Sequence, residues 1–280
     1  MQQKIHLIYG PTASGKSARA TALAKLHNGV VINADATQLY SELQILSARP
    51  TESEMQEAEH RLYGVMRGDV PATAASWLGL AAAEIEAAWA VGKLPIMCGG
   101  TGMYLGALCD GLSPIPQVPS EVRDSIQALP NEEIYAKLQE VDAAIAIRLK
   151  PSDTQRLRRA YEVWLATGRP MSYWQDLPKQ PLFPQAEWVR ETLNPPREEL
   201  YARCDARFVK MLEQGAIEEV KTLLSQNYPA SAPIMKAVGV PEIRSYLCGE
   251  ISLAEATAKA QQATRRYAKR QTTWLRNQLR

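Results

Sequence analysis

The chain is poor in the residues that build several common sites. Its four cysteines, Cys98, Cys109, Cys204 and Cys248, lie far apart with no C-x-x-C pair. That excludes a zinc knuckle and a disulfide scaffold and fits a reducing compartment. The three histidines, His6, His27 and His60, have no metal-ligand spacing. No Ser-His-Asp or Cys-His arrangement can be drawn. No apolar run reaches membrane length; the nearest, over 77–91, is broken by Glu84 and Glu86. The first residues lead directly into a strand and a glycine loop, with no signal-peptide layout. There is no internal repeat and no low-complexity tract. The expectation is a soluble, cytoplasmic, monomeric protein with no membrane partner.

What is present is ordinary globular material. The 280 residues, 46% hydrophobic and 22% charged, suffice for one large domain or two smaller ones with a proper core. The net charge of +2 conceals an uneven distribution. Residues 256–280 hold seven basic groups and no acidic one, so the other 255 residues sum to −5. A basic end on an acidic body points to a polyanionic partner.

The first third alternates strands and helices. Apolar runs at 5–9, 30–33 and 94–98 read as buried strands, and 74–91 as a long helix rich in alanine and leucine. This pattern predicts an α/β fold with a P-loop-type parallel sheet covered by helices on both faces. From residue 113 the texture changes. A proline-rich connector, 113–119, leads into helical patterns at 120–128, 131–141 and 153–167, with Ser120 and Asn131 at two helix starts. Residues 113–181 read as an all-α insertion domain. A strand at 187–193 returns to the core, so 1–112 and 182–280 form the α/β domain, closed by C-terminal helices.

Gly10-Pro11-Thr12-Ala13-Ser14-Gly15-Lys16-Ser17 fits G-x-x-x-x-G-K-[ST], with a strand before it and a helix after. Such a loop wraps backbone amides around a phosphate chain. Lys16 adds charge, and the Ser17 hydroxyl suits Mg²⁺. The acid that usually ends a partner strand and holds Mg²⁺ is missing, because 94–98 runs into Gly99-Gly100. Asp35, after the second strand, is the one acid well placed. It reads equally as a metal contact, as a base toward a substrate beside the phosphates, or as a helix cap. Gly99-Gly100-Thr101-Gly102 makes a second tight turn at a strand–helix junction, where open α/β sheets bind ligands.

Two basic helices follow. Gln155, Arg156, Leu157, Arg158 and Arg159 sit in the insertion, suiting a kinase-type lid, a nucleic-acid contact or a solvated face. The last helix sets Arg265, Lys269, Thr272 and Arg276 apart from Ala256, Ala260, Ala263, Tyr267 and Trp274. Its cationic side reads as a phosphate-backbone contact ahead of a merely solvated face. Arg203 and Arg207, one turn apart, either clamp an anion or pair with Glu199 or Asp205.

Together these motifs resemble the tRNA dimethylallyltransferase, or tRNA isopentenyltransferase (IPP transferase), family. The resemblance runs almost end to end: the loop at 10–17, Ile-Asn-Ala-Asp at 32–35, Ala48-Arg49-Pro50, Gly-Gly-Thr-Gly-Met-Tyr at 99–104, the Arg-Leu-Arg-Arg segment, and Thr-Arg-Arg-Tyr-Ala-Lys-Arg-Gln-Thr-Thr-Trp at 264–274. It implies transfer of a dimethylallyl group from dimethylallyl diphosphate to N6 of the adenosine 3′ of a tRNA anticodon, position 37. In that frame the loop (Gly10, Thr12, Ala13, Ser14, Gly15, Lys16, Ser17) and Arg203 bind the diphosphate, with Mg²⁺ on Ser17. Asp35, Thr101 and Arg207 are catalytic, with Asp35 as the base. The resemblance further implies that Asp35, Ala36, Thr37, Gln38 and Thr101 receive the flipped adenine. Arg123, the segment from Gln155 to Arg159 (Gln155, Arg156, Leu157, Arg158, Arg159), Lys236, Gly239, Arg266, Lys269 and Arg270 hold the anticodon stem-loop.

Departures from the family pattern fall at Ala36, usually serine, at Leu46-Ser47 and Arg49, at Glu59-His60-Arg61, and at Val240-Pro241. A P-loop kinase and a nucleotide-gated RNA-binding module are the alternative readings. The kinase leaves the basic last helix without a role.

Overall fold

The structure, a computed structural model, describes residues 3–278. Strand β1 (Lys4–Tyr9) leads through the glycine loop into α1 (Lys16–His27), and β2 (Gly29–Asn33) follows. After α2 (Glu52–Glu57) come β3 (Glu59–Arg61), α3 (Ala74–Ala90), β4 (Leu94–Gly99) and α4 (Gly102–Asp110). The described strands form one parallel sheet in the order β3-β2-β4-β1-β5, with β5 at Glu187–Thr192. The expected parallel sheet is thus present. β1, β2 and β4 are nearly continuous apolar runs because helices cover both faces. β3 was not expected. Only His60 of its three residues is buried, so Glu59 and Arg61 show no apolar pattern.

β4 inserts between β1 and β2, pairing Leu7 with Met97 and Val31 with Ile96. Parallel strands all end at the same edge. The loops after β1, β2 and β4 therefore emerge side by side. Beneath that edge, α3 starts at a Thr73–Ser76 capping box and buries Trp77, Leu78, Ala81, Ile85 and Ala88. Trp77 stacks on Tyr104 of α4 at 4.5 Å and donates its indole N–H to Asn33 O at 2.8 Å.

Beyond β5 the chain is helical: α10 (Arg197–Glu213), α11 (Ala216–Ser225), α12 (Val240–Leu247) and α13 (Leu253–Gln278), where α5 to α9 belong to the segment described next. Phe208, Met211, Val220, Ile234, Val240, Ile243 and Ala260 build a second core with Tyr40 and Leu43. The inner row of α13 is Ala256, Ala260, Thr264, Ala268, Gln271 and Leu275. Ala263, Tyr267 and Trp274, expected in that row, are only partly buried and flank it.

Asp110–Pro181 forms a separate compact unit with its own core of Ile126, Ile134, Leu138, Ile145, Leu157, Ala160 and Tyr161. It contains α5 (Ser120–Ser125), α6 (Asn131–Val141), α7 (Ala143–Arg148), α8 (Thr154–Thr167) and α9 (Met171–Asp176). α7 and α9, six residues each, were not expected; neither is long enough to show a helical period. Ser120 and Asn131 are first helical residues, preceded by Pro119 and Pro130 in the cap positions. Asp142, buried, accepts from Ile145 N at 3.1 Å and from Ser172 N at 3.0 Å, pinning α7 and α9 together.

At the sheet edge Gly99 is packed closely enough that a Cβ would lie 2.2 Å from the Ala34 carbonyl. Gly99→Ala is expected to cost about 2–3 kcal/mol of stability, since backbone on both sides must move. A urea midpoint with a loss below about 0.5 kcal/mol would show that the two turns are not locked together.

Candidate active site

The glycine loop begins where only glycine fits: a Cβ on Gly10 would sit 2.2 Å from Leu193 O. The loop then turns through left-handed backbone at Ala13 (φ 63°) and Gly15 (φ 94°). Gly15 caps α1, so the helix N-terminus faces the loop's hollow. The Lys16 ammonium rests on Pro11 O at 2.7 Å. Burial pulls its pKa down, partly opposed by Cys98 and Asp35. The Ser14 hydroxyl is buried and has no hydrogen-bond partner among the described residues. An orphaned hydroxyl and an inward cation are what an anion in this hollow would satisfy. Ser17 stands exposed at the start of α1.

Asp35 is held by its own strand. Asn33 is fully buried; its side-chain oxygen accepts from Asp35 N at 2.8 Å, and its amide donates to Asp35 O at 2.9 Å and Leu62 O at 3.0 Å. Asp35 Oδ1 accepts from Thr37 N at 3.0 Å in the turn before a short helix whose cap position is Ala36, and Asp35 also lines the cavity. Thr101 Oγ1 accepts from Ala36 N at 3.0 Å and is hydrogen-bonded to the Tyr267 hydroxyl. Burial beside Asp35 raises the Tyr267 pKa, so the phenol stays protonated.

Arg207 enters from α10 and donates to Thr12 Oγ1. Burial lowers its pKa, offset by Cys204 and Asp35; a guanidinium starts so high that it keeps its charge. Cys98, beneath the loop, is pushed by burial up to about 11 and is no nucleophile at neutral pH. Among the described residues no three His, Cys, Asp or Glu side chains gather to hold a metal.

Thr12 of the loop, Asp35, Arg207 and Tyr267 open into a cavity of about 230 Å³. Thr12, Asp35, Arg207, Lys236, Tyr267 and Arg270 line it together with apolar Leu46, Phe208, Met211, Ala237 and Val238. Leu46 is held there by Glu219 of α11, whose carboxylate accepts from the amides of Gln44, Ile45 and Leu46 at 2.6, 2.7 and 2.9 Å.

The structure brings together the loop, Asp35, Thr37, Thr101, Arg207, Lys236 and Arg270. Other expected residues lie elsewhere. Arg203 is exposed and paired with Glu199 one turn away, so of the two arginines Arg207 alone reaches the loop. The Gln38 amide is engaged by Ser47 O at 3.0 Å and Ala48 O at 2.8 Å, bracing a loop instead of a base pocket. Gly239 is buried; a Cβ there would meet Leu46 at 2.7 Å and Phe208 at 3.3 Å, so it packs the wall and offers no RNA contact. Leu157 is fully buried in the helical unit and cannot face a ligand. Its neighbour Arg158 donates to Ile126 O and Leu129 O at 2.5 and 2.9 Å, a brace within that unit. Arg123, Gln155 and Arg156 are exposed; Arg159 is partly buried near Glu162. On α13, Arg266, Lys269 and Arg270 are exposed, whereas Arg265 is neutralised by Asp205 of α10 at 2.5 Å. Ala36 contributes its backbone amide to Thr101.

Sequence reasoning missed Leu46, Phe208, Met211, Tyr267 and Gln271 as site residues. Met211 follows Arg207 at i+4 on the same helix face, a signal that was available. Gln271 sits inside the recognised basic segment but was counted only as part of the motif.

A P-loop opening into a half-apolar cavity with a carboxylate and an arginine defines a P-loop α/β protein built for group transfer from a phosphate-bearing donor. The sequence profile of the IPP transferase family matches residues 38–278, and the chain belongs to that family. It is 49% identical over 279 residues to the tRNA dimethylallyltransferase of Rhodospirillum rubrum, covering 98% of this chain and 85% of that one. It is 47% identical over 272 residues to the Zymomonas mobilis tRNA dimethylallyltransferase, covering 97% and 87%. Among solved structures, a eukaryotic dimethylallyltransferase acting on tRNA superposes with a TM-score of 0.86 at 27% identity, covering 98% of this chain and 70% of that one. The full-length tRNA isopentenylpyrophosphate transferase of Bacillus halodurans gives 0.71 at 30% identity, covering 99% and 88%.

The Asn33 amide is the support of the Asp35 turn. Asn33→Asp sets a carboxylate against two buried carbonyls and is expected to cost about 2–4 kcal/mol at neutral pH. The introduced carboxyl would have a raised pKa in the folded protein. Its protonated form regains a donor, so the deficit shrinks as pH falls through that value. A deficit that is small or independent of pH would assign the turn's stability elsewhere.

Proposed function

We propose that this protein transfers a dimethylallyl group from dimethylallyl diphosphate to N6 of the adenosine immediately 3′ of the anticodon in tRNA. The products are N6-dimethylallyladenosine and diphosphate. The observation that carries this is the cavity itself, which joins a phosphate loop, a carboxylate and an apolar wall. The apolar wall of Leu46, Phe208 and Met211 suits a five-carbon chain, and Asp35 beside the loop suits proton transfer from an amine, which a nucleotide-gated RNA-binding module does not require.

The step begins with the C1–O bond of the allylic diphosphate, which breaks with its electron pair going to the leaving group. Lys16, the loop amides, the Ser14 hydroxyl and Arg207 stabilise the charge that develops there. The N6 lone pair forms the new N–C bond, and the N6 proton passes to Asp35. An exocyclic amine is a weak nucleophile because its lone pair is delocalised into the ring, so hydrogen bonding to a carboxylate raises its reactivity. The Thr101 hydroxyl, with Ala36 N and Tyr267 on it, keeps the Asp35 turn beside the loop. Leu46, Phe208 and Met211 shelter the five-carbon chain and exclude water from an allylic cation.

Mg²⁺ fits a site with few protein ligands, since that ion keeps waters and substrate oxygens in its shell. The Ser17 hydroxyl, exposed at the head of α1, would hold it. When bound, Mg²⁺ would neutralise part of the diphosphate charge. Arg266, Lys269 and Arg270 on α13 hold the stem-loop through its phosphates. Within the helical unit, Arg123, Gln155, Arg156 and Arg159 are the candidate tRNA contacts.

Purified protein with Mg²⁺, dimethylallyl diphosphate and unmodified tRNA is expected to yield tRNA heavier by one dimethylallyl group; unchanged mass with intact protein would refute the assignment. Asp35→Ala should lower kcat at least about 100-fold while tRNA affinity stays within about threefold, in line with a general base. Arg207→Ala should weaken inorganic pyrophosphate binding more than tenfold, and Arg203→Ala less than twofold. Equal losses would return Arg203 to the site. Arg266→Ala with Lys269→Ala should weaken tRNA binding and reduce the slope of log K against log salt by roughly one to two. An unchanged slope would make that face merely solvated.

A further inference from the structure

Thr12, at the tip of the phosphate loop, is gripped twice by the C-terminal helices. Its hydroxyl takes a hydrogen bond from Arg207 of α10, and its amide donates to Gln271 Oε1 of α13 at 2.8 Å. The other end of the same side chain donates from Nε2 to Gly100 O at 2.9 Å. Gln271 is 6% exposed. The row it belongs to is otherwise alanine, leucine and Thr264, whose hydroxyl bonds back to its own helix at Ala260 O, 2.8 Å. Gln271 therefore supplies the polar atoms by which this row reaches out of its helix. Packing alone does not call for an amide here, since leucine or methionine fills a similar volume. A buried amide with both ends engaged is a positional lock, because losing either partner leaves a polar group stranded.

The two partners belong to two different loops. Thr12 lies between β1 and α1, and Gly100 lies between β4 and α4. The approach depends on glycine: a Cβ at position 100 would lie 2.4 Å from Gln271 Nε2 and 2.7 Å from Gly10 O. One residue further, Thr101 accepts from Ala36 N at 3.0 Å, next to Asp35. A continuous path thus runs from the leaving-group loop through Gln271, Gly100 and Thr101 to the carboxylate. Gln271 does not line the cavity.

We propose that Gln271 is a positioning residue for the transfer step: it fixes the separation between the phosphate loop and the Thr101–Asp35 turn, and so the distance between the allylic carbon and the attacking amine. This rests on the transfer reaction proposed above. Gln271 touches neither substrate. It also commits the Thr12 amide to α13, which withdraws that donor from the phosphate cradle. Reacting atoms must approach to about 3–3.5 Å, and a misplacement of about 1 Å costs on the order of 100-fold in rate. A residue that sets only the separation therefore acts on kcat and leaves each substrate's own contacts intact.

The test compares wild type, Gln271→Met and Gln271→Glu. For each it measures kcat, both KM values, inorganic pyrophosphate affinity and thermal midpoint. Methionine keeps the volume and loses both bonds. It should lower kcat at least tenfold, with both KM values and pyrophosphate affinity within about threefold. Glutamate keeps the acceptor for Thr12 N–H but faces the Gly100 carbonyl with a carboxylate. Its kcat relative to wild type should recover as pH is lowered, because the protonated carboxyl regains a donor for Gly100. A Gln271→Met enzyme whose folded fraction turns over within twofold of wild type would overturn the proposal, whatever its thermal midpoint. So would a tenfold loss of pyrophosphate affinity with kcat unchanged, which would make Gln271 a phosphate ligand. If Gln271→Met does not fold, a Gln271→Glu enzyme without the relative pH recovery overturns it. A wild type that transfers nothing refutes the reaction itself, and this proposal with it. A working wild type beside a working Gln271→Met refutes only the positioning role.

Discussion

The placing of β4 between β1 and β2 is the constraint on which the site depends. Parallel strands end together, so this order sets three loops in a row at one edge: the phosphate loop, the Asp35 turn and the Gly100–Thr101 turn. Each then touches its neighbour through backbone. Gly99 packs on the Ala34 carbonyl, and Thr101 N donates to Ala34 O at 3.2 Å. With strand order β1-β2-β4, the phosphate loop would be one strand further from Thr101. The site is a property of sheet topology before it is a property of any side chain.

The C-terminal helices complete what the sheet begins. α10 and α13 are tied to each other at Asp205, whose carboxylate pairs with Arg265 and whose carbonyl accepts from Gln261 at 3.1 Å. From that joined pair, Arg207 and Gln271 reach Thr12. The same α13 turns Arg266, Lys269 and Arg270 outward. One helix therefore carries the surface proposed for tRNA and a support of the loop proposed for diphosphate. Of the departures from the family pattern, Ala36 gives its amide to Thr101 and packs on the core, and Leu46 is part of the apolar wall.

Local pattern was enough for the elements that obey a single rule. The apolar runs of β1, β2 and β4, the G-x-x-x-x-G-K-S loop and the length of α13 were all readable, because burial and turn chemistry act over a few neighbouring residues. β3, α7 and α9 were not. Three to six residues carry no period, and each is held by partners distant in sequence. β3 pairs with β2 and its Glu59 with Lys93, and Asp142, at the head of α7, reaches Ser172 of α9 thirty residues on.

The order of residues was thus sufficient to mark this chain as a phosphate-gripping α/β protein of a particular family, since a motif is a local object. Pattern alone left Arg203 and Arg207, the same residue type one turn apart, as equals; only the family resemblance put Arg207 first. That choice follows from which face of α10 packs toward Thr12 and which pairs with Glu199. Nor could pattern separate Arg158, turned inward as a brace, from exposed Arg156, or show Arg265 neutralised by a residue 60 positions earlier. Charge is written along the chain, but whether it is free to meet a ligand depends on what the fold sets beside it.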